Sequence, residues 1–299
     1  MNKYLILILV VFVFNSCGSS KVETKQKQPL AKHVILIGSD GFGAYAFEKA
    51  KIPTIRKMMN AGAYSLKARS VLPSSSAVNW ASILMGSGSE LHGYTEWGSK
   101  VPELPSRVLG EEGIYPTIFS LINNQMPNAK MGVSYTWGGI GSLFEKKLVD
   151  LDFNGKEDPE TIEKALNFIV DEKPVFTFIH LTHPDNEGHE VGHDTPAYYA
   201  AVEKVDDLVA NLLKKLEKEK MMDDTIIIFT SDHGGIGKGH GGKTLLEVEI
   251  PWIIYGKGVK TQGALNTSIV TYDTGATIAH ILGLNIPQFW TGRPVLDAF

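Results

Sequence analysis

An α/β fold, a single large domain with a mostly parallel sheet flanked by helices on both faces, is predicted for this chain by three observations. Continuous apolar, β-branched runs at residues 34–37, 175–181 and 225–230 have the length and composition of buried strands. Helix-period segments alternate with strand-like ones along the chain, as in successive βαβ units. The composition, 43% hydrophobic and 21% charged over 299 residues, suits one large domain or two small ones, and no internal repeat or composition break divides it.

Taken in order, the chain opens on a segment outside that domain. Met1-Asn2-Lys3 is followed by apolar residues from Tyr4 to Phe14 and then Asn15-Ser16-Cys17-Gly18. One basic residue, a short apolar core and small residues make an export signal, since about 20 residues are needed to span a bilayer. Phe14-Asn15-Ser16-Cys17 resembles the lipobox of bacterial lipoproteins, which makes Cys17, the only cysteine, the expected lipid anchor. The expected organisation is a signal over 1–16, a polar tether over 17–32 and one folded domain over 33–299. An exported, lipid-anchored protein of a bacterial cell envelope, periplasmic or outer-membrane, follows. Without 1–16 the chain holds 28 basic and 33 acidic residues, a net charge of −5. No basic block or basic-aromatic stripe suggests a nucleic-acid surface.

Residues 33–41 form the first strand and end in Ser39-Asp40-Gly41. Helical spacing follows over 44–62, then a strand over 63–70. Pro73-Ser74-Ser75-Ser76 enters an Ala/Ile/Leu/Met helix, where serines cap the first turn and a helix N-terminus favours an anionic oxygen. Helices are expected over 117–125, 158–172, 198–220 and 273–282, and strands over 130–135 and 250–256. The strand at 175–181 runs into Thr182-His183-Pro184-Asp185-Asn186-Glu187-Gly188-His189, where Asp185 and His189 stand one helical turn apart. His183 and His193 compete with them on spacing alone. The strand at 225–230 runs into Ser231-Asp232-His233-Gly234, with His240 a few residues on among glycines. Neighbouring residues on extended backbone face opposite ways, so Asp232 and His233 serve one ion only if the chain turns at once.

Asp40, Asp185, His189, Asp232, His233 and His240 thus give three carboxylates and three imidazoles at three strand ends. That is enough for two divalent metals with three protein ligands each, Zn²⁺ first, with Mn²⁺ or Fe also compatible. Two such ions can clamp the attacking and leaving oxygens of a displacement at phosphorus, with Ser76 as the attacking group.

Ser39-Asp40-Gly41, Pro73-Ser74-Ser75-Ser76-Ala77-Val78-Asn79, Asp185-Asn186-Glu187-Gly188-His189, Asp232-His233-Gly234 and Gly239-His240-Gly241 occur in the order of the alkaline phosphatase superfamily. The set is most similar to its nucleotide pyrophosphatase/phosphodiesterase branch and spans nearly all of 33–299. The resemblance implies one zinc on Asp185, His189 and His240 and the other on Asp40, Asp232 and His233. It also implies a phosphoseryl intermediate on Ser76 and an Asn79 that bonds a phosphoryl oxygen. The chain departs from the branch in three ways. Serine stands where threonine is commoner, only eight residues separate Asp232 from His240, and little between Gly86 and Val175 can build a cap.

The expected activity is a metal-dependent phosphodiesterase or nucleotide pyrophosphatase acting on a small phosphate ester or nucleotide. Its alternatives are a phosphomonoesterase or phosphomutase of the same superfamily and a non-enzymatic, metal-binding surface lipoprotein. No Arg lies near Ser76 for a second phosphate charge, although Lys238 and Lys243 flank His240. Trp97 and Trp137, with glycine-rich neighbours, are the better candidates for stacking on a base among Trp80, Tyr94, Trp97 and Trp137. Mass spectrometry of the membrane fraction should find diacylglyceryl-modified Cys17 at the mature N-terminus, and an unmodified N-terminus downstream of it would exclude the anchor.

Overall fold

The apolar runs become the centre of one eight-stranded sheet. A computed structural model describes residues 27–299, so the expected signal and most of the expected tether lie outside the described residues. The strands are β1 (His33–Ser39), β2 (Ala63–Arg69), β3 (Met131–Tyr135), β4 (Leu151–Asn154), β5 (Phe176–Leu181), β6 (Thr225–Thr230), β7 (Glu249–Gly256) and β8 (Gly263–Ala264). Their order is β4-β3-β5-β1-β6-β7-β2-β8. All neighbours pair in parallel except β7, which runs antiparallel to both β6 and β2. The sheet is therefore mostly parallel, as the alternation of elements predicts.

The helices are α1 (Ala46–Lys49), α2 (Pro53–Ala61), α3 (Ser76–Met85), α4 (Ser89–His92), α5 (Ile118–Gln125), α6 (Asp158–Glu172), α7 (Asp185–Val191), α8 (Pro196–Lys218), α9 (Leu245–Val248) and α10 (Asp273–Ile281). Among the described residues no helix is long and apolar enough to cross a membrane. The single helical stretch expected over 44–62 is two helices, because Pro53 cannot continue a helix and opens the second at its first turn. Thr117 caps α5 by accepting from the Phe119 N–H, and Thr195 caps α8 by accepting from the Tyr198 N–H.

Period-2 alternation divides the core into two layers. Val34 and Leu36, Ile226 and Ile228, and Phe176 and Phe178 pack on one side against α3, α5 and α10. Ile35 and Ile37, Ile227 and Phe229, and Ile179 and Leu181 pack on the other against α2, α6 and α8. Residues 86–175, expected to be too few for a cap, hold α4, an irregular stretch over 93–117, α5, β3, β4 and α6, and β3 and β4 extend the sheet at one edge. The last tether residues dock on the domain, with the Leu30 N–H on Ile281 O and the Lys32 N–H on Asp224 O.

This layering positions the site. β5, β1 and β6 are adjacent at the middle of the sheet, with Gly38 level with Thr230 and Ser39 level with Leu181. Asp40, Thr182 and Asp232 therefore leave the carboxyl ends of three neighbouring strands at about one height, where α/β sheets bind ligands. Gly38 matters here because a Cβ on it would lie 2.3 Å from the buried ring of Trp80, which crosses β1 at that point. Gly38→Ala should cost about 1–3 kcal/mol through overpacking. Chemical denaturation reads this, and an unchanged midpoint would mean that the ring has room to move.

Candidate metal centre and active site

Each strand end delivers a carboxylate for a local reason. Asp40 is the first residue after β1, and Gly41 adopts φ +65° beside it. A Cβ on Gly41 would come within 2.5 Å of Asp185 Oδ1, so the position must be glycine for Asp185 to approach. Asp185 opens α7 and its N–H donates to Asp40 O at 3.1 Å. The turn of α7 then brings His189 Nε2 to 3.2 Å from Asp185 Oδ2. After β6 the chain turns at once, as the sequence requires, and Asp232 Oδ2 lies 3.2 Å from His233 Nε2. Gly237 (φ +58°) and Gly241 (φ +101°) bend the following loop so that His240 folds back, its ring stacked 3.7 Å from that of His233.

The six expected ligands are brought together. Asp185, His189 and His240 form one compact group, and Asp40, Asp185 and His233 a second, each with ligand atoms within 4.8 Å of one another. Asp185 thus belongs to both groups, whereas the resemblance assigns it to one. Asp232 reaches the second group through His233. His183 stays out of the cluster, held by Asp158 Oδ2 at 2.6 Å. His193 is buried behind Asp185, its Nε2 3.7 Å from Asp185 Oδ1.

The donor chemistry fits cations. Each imidazole turns Nδ1 to a backbone carbonyl: His189 to Lys238 O at 3.0 Å, His233 to Gly234 O at 2.7 Å and His240 to Ser74 O at 3.1 Å. Donation from Nδ1–H leaves the Nε2 lone pair facing inward, the tautomer a metal ligand needs. His189 Nε2 and His240 Nε2 then face each other at 3.2 Å. Asp185 Oδ1 and Asp232 Oδ2 are buried without a hydrogen-bond partner. Burial, then the charges of Asp40 and Asp185, push Asp232 well above the usual carboxylate range. Burial pushes His240 down to about 4, so it is neutral and ready to ligate. His189 is raised to about 9 by its hydrogen bond to Asp185, so at neutral pH a cation bound there would have to displace a proton.

Asp40 has a supporting shell of its own. Its Oδ2 accepts from His180 Nε2 at 3.0 Å and from Trp80 Nε1 at 3.1 Å, both fully buried. Burial alone would raise this carboxyl, yet these bonds and the nearby His233 hold it down at about 2. Oδ1 is left facing His233 Nε2 at 3.4 Å and Ser76 Oγ at 3.5 Å. Neither His180 nor Trp80 is singled out as a support by the sequence. A histidine inside the apolar run of β5 was the available signal.

Ser76 is the first residue of α3, after Ser75 in extended conformation, and its Oγ lies 3.1 Å from His233 Nε2. Asn79 requires a correction. It is fully buried, with Oδ1 accepting from the Val71 N–H and Thr271 Oγ1 and Nδ2 donating to the carbonyls of Val71, Pro73 and Ser75. It fastens the segment leading to Ser76 and has no atom to offer a phosphoryl oxygen. A cavity of about 170 Å³ opens over Ser76, walled by Asp40, Asp185, His189 and His240. Trp97, 65% exposed, and Trp137 line its mouth, whereas Trp80 and Tyr94 are buried in the core. Neither Lys238, whose Nζ donates to Glu190 O, nor Lys243 lines it.

A hydroxyl at a helix start, set among paired carboxylates and imidazoles at the carboxyl ends of a mostly parallel sheet, defines an alkaline-phosphatase-like α/β protein. This chain belongs to the type I phosphodiesterase / nucleotide pyrophosphatase family, whose sequence profile matches residues 34–237. It is 24% identical over 238 residues to human ectonucleotide pyrophosphatase/phosphodiesterase family member 5, covering 76% of this chain and 49% of the relative. It is 29% identical over 149 residues to the phosphopentomutase of Alkaliphilus metalliredigens, covering 50% and 36%. The chain thus spans about half the length, or less, of these curated relatives. The structure of an inactive murine ectonucleotide pyrophosphatase/phosphodiesterase 5 in complex with AMP superposes with a TM-score of 0.71 at 14% identity, over 91% of this chain and 98% of that one.

Zinc titration of the metal-free protein should saturate at two ions with proton release at neutral pH. Trp80→Phe and His180→Leu should each weaken binding by about 10–100-fold, the usual effect of removing an outer-shell partner. Competition against a chromophoric chelator measures this, and unchanged affinity in both variants would remove the supporting role.

Proposed function

We propose that this protein is a metal-dependent phosphodiesterase of the nucleotide pyrophosphatase kind, working through a phosphoseryl intermediate on Ser76. The observation that carries the reading is the position of Ser76 Oγ, 3.1 Å from His233 Nε2 and 3.5 Å from Asp40 Oδ1. A serine hydroxyl is a weak nucleophile in water and gains strength only beside a base or a cation. Asp185, His189 and His240 on one side, and Asp40, Asp232 and His233 on the other, are the residues to hold two divalent ions, zinc in the first place. When bound, such ions lower the pKa of a coordinated hydroxyl and neutralise charge developing at phosphorus.

The residues of the chain do the rest. The amino end of α3 directs its dipole at Ser76 Oγ and favours the anionic oxygen there. Trp97 and Trp137 offer flat apolar faces at the cavity mouth, suited to the base of a nucleotide. The AMP held by the murine relative supports a nucleotide as substrate. A diester is favoured over a monoester because no Arg or Lys lines the cavity to meet a second phosphate charge. The similarity to phosphopentomutases favours phosphomonoester or phosphomutase chemistry as the second reading. The N-terminal sequence adds an exported protein, tethered to a bacterial envelope through Cys17.

The test is turnover of bis-aryl, mono-aryl and nucleoside 5′-aryl phosphates by purified protein, with and without chelator. Diester turnover should exceed monoester turnover and fall to background on metal removal, and the opposite preference would select the second reading. Ser76→Ala should lose at least about 10³-fold in kcat and keep both metals. Retained activity would exclude a nucleophilic Ser76.

A further inference from the structure

A phosphoryl group brings non-bridging oxygens that need donors, and Asn79, expected to supply one, is committed to the backbone. Apart from the metal-binding groups, Ser76 and the two indoles, the catalytic cavity is lined only by Thr182 and Asn186. Thr182 Oγ1 is buried without a hydrogen-bond partner. Such a hydroxyl is destabilising unless something outside the protein satisfies it. Asn186, next to Asp185 on α7, is exposed and makes no side-chain hydrogen bond among the described residues.

The segment holding Thr182 is fastened from behind. The Thr182 N–H donates to Asp158 Oδ1 at 2.9 Å, and the His183 N–H to Asp158 Oδ2 at 3.1 Å. Asp158, buried at the start of α6, also accepts from Thr136 Oγ1 at 2.6 Å, while Ser39 Oγ donates to His183 O at 2.7 Å. Strand register sets Thr182 level with Asp40. The backbone is thereby preorganised and only the Thr182 side chain retains a degree of freedom. A second cavity, of about 580 Å³, is also lined by Thr182 and Asn186, so both residues stand where the two cavities meet.

We propose that Thr182 is a catalytic residue whose hydroxyl donates to a non-bridging phosphoryl oxygen, with the Asn186 amide as the second donor. The proposal rests on the phosphoryl-transfer reading above and assigns its missing donors.

Thr182→Val keeps shape and removes only the donor. In the metal-loaded enzyme it should lower kcat by about 10–100-fold, the worth of one hydrogen bond to a charged group, with KM within about threefold. Thr182→Ser should restore most of the loss, and Asn186→Leu, at an exposed position, should show a smaller loss of its own. Binding of inorganic phosphate to metal-loaded Ser76→Ala protein, followed calorimetrically, should weaken about tenfold when Thr182→Val is added. Unchanged kcat and phosphate affinity in Thr182→Val overturn the proposal, as does a Ser76→Ala protein that binds metal but no phosphate. Wild-type protein that binds phosphate yet cleaves no ester overturns the hydrolase reading alone, since the phosphate titration still decides the role of Thr182.

Discussion

Crowding of like charge at the carboxyl ends of β5, β1 and β6 is the constraint on which the rest of the structure depends. Asp40, Asp185 and Asp232 converge in a region almost closed to water, and an isolated buried carboxylate is unstable by many kcal/mol. The protein relieves only part of this. Two donors share one oxygen of Asp40 and the Gly41 N–H meets one of Asp232, while Asp185 Oδ1 and the remaining oxygen of Asp232 have no partner. Everything nearby is arranged so that positive charge completes the set: imidazoles that turn Nδ1 to backbone carbonyls and Nε2 inward, a glycine that clears a path for Asp185, and a helix that starts at Ser76.

Much of the scaffold was legible because buried strands have no amphipathic disguise. Residues 225–230 are buried without a break around an Ile-Ile-Ile-Phe core and lie at the sheet centre, and the Ser-Asp pairs that end two such runs mark where side chains leave the sheet. The i,i+4 spacing of Asp185 and His189 needs only one turn of helix to become a shared site. β4 was missed because Leu-Asp-Phe-Asn alternates over just four residues, and the antiparallel course of β7 leaves no trace in a buried pattern that reads the same both ways.

The misreading of Asn79 has a different origin. A residue type and a distance from Ser76 do not say which way an amide faces, and here helix α3 turns it inward onto the Val71–Ser75 backbone. The supporting roles of His180 and Trp80 escaped notice because both side chains are fully buried among core residues. A polar atom in such a place is worth asking about, since it persists only if something pairs with it. In both cases a hydrogen bond joins residues far apart in sequence, His180 donating to Asp40 and Thr271 donating to Asn79 Oδ1, and such pairs are settled only by tertiary packing.

Asp185 sits between the two ligand groups and counts in both. A carboxylate shared in this way can be approached from either side, so a change at Asp185 touches both groups at once, whereas a change at His189 or at Asp40 touches one. The turn that carries Asp185 out of β5 is therefore the joint at which the two halves of the cluster meet.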